Sequence, residues 1–133
     1  MFSDIARVRT ALKDRLAPSL PQRWTVEENL KQPPTEYRAP LLTFEFTRFD
    51  PDANGQPLGA GFAAATIDLV LGSPMSADEK GEDDVDQLAL TLVQLVDRQS
   101  DMWWTSAEKQ RLEATGQWVW RIHTIVLTES KEQ

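Results

Sequence analysis

The chain has 133 residues, no cysteine and a formal net charge of −7. A single domain, residues 1–133, with one core suits that length. The lack of thiols excludes a disulfide framework and thiolate chemistry, and no apolar run nears the ~20 residues of a membrane-spanning helix.

Residues 1–48 carry eight Lys/Arg against six Asp/Glu, residues 49–101 two against eleven, and residues 102–133 four of each. An acidic chain is repelled by phosphate backbones, so nucleic-acid specificity is not expected. The acidic middle reads either as a solvated face or as a surface that docks a basic partner.

In chain order, residues 3–17 place Ile5, Val8, Ala11, Leu12 and Leu16 on one stripe, which predicts a helix capped by Ser3 and ended by Pro18. Arg7, Arg9, Lys13 and Arg15 fill its other side. This N-terminal stretch is charged and amphipathic, without the apolar centre of a secretory signal. Alternation of Trp24, Val26, Glu28 and Leu30 suggests a short edge strand, and the following segment with three prolines cannot lie inside a sheet. Residues 41–49 give a clean strand, with Leu42, Phe44 and Phe46 towards the core and Thr43, Glu45 and Thr47 towards solvent.

Residues 50–61, DPDANGQPLGAG, read as a long polar loop, and alternation resumes through Ala63, Ala65, Ile67, Leu69 and Leu71. The two strands predict an antiparallel hairpin with an unusually long tip, of the kind that carries function or mobility. A helix follows, expected to be regular from Asp83 to Asp101 with a looser lead-in because Gly81 weakens it. Its apolar face is Val85, Leu88, Ala89, Leu92, Val93, Leu95 and Val96, and the sheet is the surface available to bury it. Residues 105–114 read as a strand or a helix, a turn falls at residues 114–117, and residues 118–127 close the chain as a strand. The fold class is α+β: a mostly antiparallel sheet carrying an N-terminal helix and one main amphipathic helix, in the order α-β-β-β-α-β-β.

Chemistry is sparse. Asp50, Asp52, Asn54 and Gly55 match the opening of an EF-hand loop, but the twelfth position is Gly61 where calcium needs a carboxylate, so a turn without metal is the reading. His123 is the only histidine, with no local sign of a carboxylate or serine to complete a triad, and reads as a strand-surface residue. Neither a catalytic set, a metal site nor a cofactor site is expected. The five tryptophans read as core and sheet-face packing, with one or two as interface anchors the alternative.

The order of elements, with Trp24, the strand at 41–49, residues 65–71, the helix at 83–101, Trp104-Thr-Ser-Ala-Glu-Lys109 and the W-x-W-x-I-x-x-I-V run from Trp118, resembles the tail terminator (tail completion) proteins of long-tailed bacteriophages. The resemblance is one of layout, spread over nearly the whole chain, without a signature motif. It implies a non-enzymatic structural protein, made in the host cytoplasm, that sits at the head-proximal end of the virion tail. Its partners would be itself, as a homo-hexameric ring, the tail tube protein and the head-side connector protein. The partner-binding residues expected on this reading are Arg7, Arg9, Lys13 and Arg15 against Asp78, Glu79, Glu82, Asp83 and Asp84 of the next subunit. Asp50, Asp52, Asn54, Gln56 and Leu58 would present the loop to tube or connector. Another head–tail joining or minor tail protein, or a small α+β cone enclosing an apolar ligand among the tryptophans, are the alternatives.

Overall fold

A computed structural model describes residues 8–20, 25–27, 41–53, 55–72, 79–111 and 117–129, without the side chains of residues 25, 27, 79–81 and 84. Helix α1 spans Val8–Leu16 and helix α2 spans Glu79–Asp97. The strands are β1 (Thr25–Glu27), β2 (Leu41–Asp50), β3 (Asp52–Ala53), β4 (Gln56–Pro57), β5 (Phe62–Gly72), β6 (Met102–Arg111) and β7 (Trp118–Glu129). Five of them form one sheet in the order β1-β2-β5-β7-β6, and β3 with β4 makes a separate two-stranded ladder. All pairings are antiparallel except β1 with β2. The expected α+β class and element order are therefore those observed, with a miniature hairpin added inside the loop.

Periodicity decides which face is buried. Leu42, Phe44 and Phe46 of β2 stand opposite Leu71, Leu69 and Ile67 of β5, which in turn stand opposite Trp120, Ile122 and Thr124 of β7. Both helices close over this face. Val8, Leu12 and Leu16 of α1 share one apolar cluster with Val85, Leu88, Ala89, Leu92 and Val96 of α2 and with the inward residues of the sheet. Buried Thr124 and Thr128 on the same side of β7 satisfy their hydroxyls by donating to the Ile67 and Ala63 carbonyls, at 2.6 and 2.9 Å. Fully buried positions late in β7 are thus Thr124, Val126 and Thr128, while Ile125 and Leu127 are half-buried on the other face.

Several boundaries differ from expectation. Helix α2 starts at Glu79 and continues through Gly81, because its acidic first turns suit the helix dipole and Glu82 and Asp86, one turn apart, are both held by Lys109. It ends at Asp97, four residues early: the Gln99 amide caps the Leu95 carbonyl, and Asp101 turns away to meet Arg15. Strand β6 begins at Met102, taking in Trp103 and Trp104, since the Leu127 N–H already donates to the Asp101 carbonyl at 2.9 Å. Strand β1 is parallel to β2 and pairs only with Leu41, Leu42 and Thr43. The expectations for Ser3, Ile5, Arg7, Trp24, Glu28, Leu30, the proline-rich segment and the turn at 114–116 lie outside the described residues.

Both long strands nearest the sheet edges carry a bulge, at Thr47 in β2 and Thr105 in β6. Each bulged threonine donates its hydroxyl to a carbonyl of the adjacent strand, Thr47 to Thr66 at 3.0 Å and Thr105 to His123 at 3.3 Å. A bulge of this kind twists an edge and discourages unspecific strand addition.

Candidate functional site

Three features of the described residues carry polar side chains in defined geometry. The first is the hairpin end. Strands β3 and β4 pair as a miniature hairpin, with Gly55 at φ 77° just before β4, a left-handed backbone that glycine favours in tight turns. Asn-Gly in the sequence is the signal that could have located this hairpin within residues 50–61, which read as one polar loop. The Leu58 N–H closes the loop on the Pro51 carbonyl at 3.1 Å. The tip lies outboard of the last β5–β7 pair, Phe62 with Glu129. At its base Phe49 and Phe62 are 47% and 36% exposed, and Phe49 stacks edge-on against Phe46 at 4.5 Å. Asp50, paired with Arg48 at 2.9 Å, and exposed Asp52 and Gln56 give the tip an acidic, polar outline, with Leu58 half-buried.

The second feature is the set of tethers that hold α2 on the sheet. Lys109 of β6 binds Glu82 and lies 3.0 Å from Asp86, while its ammonium sits 4.5 Å above the Trp118 ring. The bond to Glu82, with Asp86 behind it and against the cost of desolvation, raises the Lys109 pKa above its ordinary value. The Trp120 indole donates to Asp86 and the Trp104 indole to Asp97, each at 2.8 Å. Two tryptophans therefore anchor the two halves of one helix, Trp120 packed against the core and Trp104 on the exposed side. Replacing Lys109 with Met keeps the stem over Trp118 but strands two carboxylates. The half-exposed setting screens the loss to about 1 kcal/mol, seen as a Tm lower by roughly 3 °C in a thermal melt.

The expected partner charges fall partly on these internal contacts. Arg9 donates to the Phe44 carbonyl at 3.2 Å and lies over the Phe46 ring, and Arg15 pairs with Asp101. Lys13 is half-exposed with no ion-pair partner among the described residues, and Asp83 is exposed. Arg7, Asn54 and Asp78, and the side chains of Glu79 and Asp84, lie outside the described residues. Burial opposes ionisation of Asp101, but the Arg15 guanidinium outweighs it and lowers the carboxyl pKa. A depressed folded pKa stabilises the fold above the unfolded value near ~4 and is lost as pH falls through the folded one. The stability gap between the wild type and Asp101→Asn should accordingly be full at neutral pH and shrink below about pH 4, read from urea midpoints across pH.

The third feature is a row across the face of the sheet opposite the helices. Glu45, Asp68, His123 and Ser106 are successive cross-strand partners on β2, β5, β7 and β6. Asp68, 5% exposed, receives His123 Nδ1 at 2.7 Å on one oxygen and Arg121 at 2.9 Å on the other, and Arg121 also reaches Glu45 at 2.7 Å. Burial disfavours the Arg121 charge, but its bonds to Asp68 and Glu45 outweigh that and raise its pKa. Nothing local to His123 signalled a carboxylate, and the structure supplies one in Asp68, 55 residues away. The solvent-facing reading of Thr43 is corrected, since it is buried, as is Asp68, which alternates with the apolar residues of β5.

Among the described residues, no group of three or more His, Asp or Glu is placed to hold a metal ion, and no helix is long and apolar enough to cross a membrane. A scan against protein-family models matches none of them, and a search of curated proteins finds no relative.

Proposed function

We propose that this chain is a structural virion-assembly protein that caps a phage tail tube, ends its polymerisation and joins the tail to the head-side connector. The observation that carries the reading is the hairpin end: a self-closed loop projecting beyond the sheet on a stem with two exposed phenylalanines. Aromatic anchors of that kind are enriched at protein interfaces, and the element order is the one the resemblance leads from. The protein acts as a head-to-tail ring of six copies, because unlike surfaces on one chain close into rings. With Arg15, Glu82 and Asp86 already paired within the chain, Lys13 and Asp83 are, among the described residues, charges of the two proposed surfaces that remain for a neighbour.

Deleting residues 52–57 and joining the stem with Gly-Ser tests the role of the tip. The variant should keep the wild-type Tm and lose the ability to stop tube growth. Full capping by the shortened chain would refute the assignment of the loop. Light scattering across a concentration series should give a mass six times 15.1 kDa, and Lys13→Glu should lower it.

A further inference from the structure

We infer that Ser106 is an acyl-accepting nucleophile, with His123 as its base and Asp68 as the residue that positions the imidazole. This goes beyond the capping role and does not rest on it. Asp68, as a carboxylate, can only accept, so its 2.7 Å contact places the proton on His123 Nδ1 and leaves Nε2 free to take one. Arg121 donates to the other oxygen at 2.9 Å and holds the carboxylate aimed at the ring. The strand register sets Ser106 directly opposite His123 on the same face, where Cβ atoms lie roughly 5 Å apart. The Ser106 hydroxyl has no hydrogen-bond partner among the described residues and is half-buried. The neighbouring bulge pins Thr105 to the His123 carbonyl at 3.3 Å, which holds β6 against the imidazole; bulges often re-aim a side chain beside a reactive site.

The next cross-strand pair on this face, Trp103 with Ile125, forms an apolar shelf beside the serine. That setting takes a small activated ester with an aryl or short alkyl group. Ser106 Oγ bonds to the ester carbonyl carbon as its proton passes to His123 Nε2. The carbon–oxygen bond to the leaving group then breaks, and His123 returns the proton to that alkoxide. Water, deprotonated by His123, hydrolyses the acyl-serine to free acid and restores the hydroxyl.

An alkyl fluorophosphonate is the probe, because attack forms one P–O bond, expels fluoride and leaves a stable adduct. Intact-mass and peptide mass spectrometry of the folded full chain should locate one phosphonyl group on Ser106 and none in Ser106→Ala. His123→Gln should slow labelling about a hundredfold, with the far-UV circular dichroism of both variants unchanged. Labelling that bypasses Ser106, no labelling of the wild type, or an equal rate in His123→Gln would overturn the assignment.

Discussion

Leu92→Ala should destabilise the protein by about 3 kcal/mol and lower its Tm by roughly 10 °C, while Leu90→Ala, two residues away, should leave both within error. Leu92 is completely buried among the inward residues of α1, α2 and the sheet, whereas Leu90 is 51% exposed on the outer side of the same helix. Removing three buried carbons from Leu92 forfeits their transfer energy and leaves a cavity, because strands tied at three consecutive ladders cannot collapse into the space. Against a total stability of about 5–15 kcal/mol such a loss is a large share. Urea denaturation of the pair checks it, and similar costs at both positions would mean that α2 is not seated on this face.

The second large effect lies on the opposite face. Asp68→Ala should cost about 3 kcal/mol, because it removes one member of a buried charged set and leaves Arg121 partly desolvated with Glu45 alone. Exchanging Asp68 and Arg121 together for Leu and Met should cost less than Asp68→Ala, since no uncompensated charge remains. The sum of the single losses should exceed that of the double variant by more than about 1 kcal/mol. Additive losses would show that the two side chains stabilise independently.

What the sequence made legible depended on range. The stripe from Val85 to Val96 and the alternation of Leu42, Phe44 and Phe46 are local periods, and the structure turns those residues inward, with Phe46 and Val93 only partly buried. The start of α2 differs from its local signal because propensity weighs against Gly81, while the tether from Glu82 and Asp86 to Lys109 comes from another strand; its end differs because Asp101 is drawn to Arg15 of α1. Asp68 alternates as a solvent-facing residue would, and only the β5–β7 register shows that His123 and Arg121 cover it. The basic first helix was readable as basic, but nothing local indicated that Arg9 and Arg15 are engaged by Phe44 and Asp101.

The most direct test of the capping account is negative-stain electron microscopy of tail tubes grown from their own tube protein with and without this chain. Capping by this chain gives bounded tube lengths and a ring of added density at one end only. Tubes of unchanged, unbounded length with bare ends would contradict it.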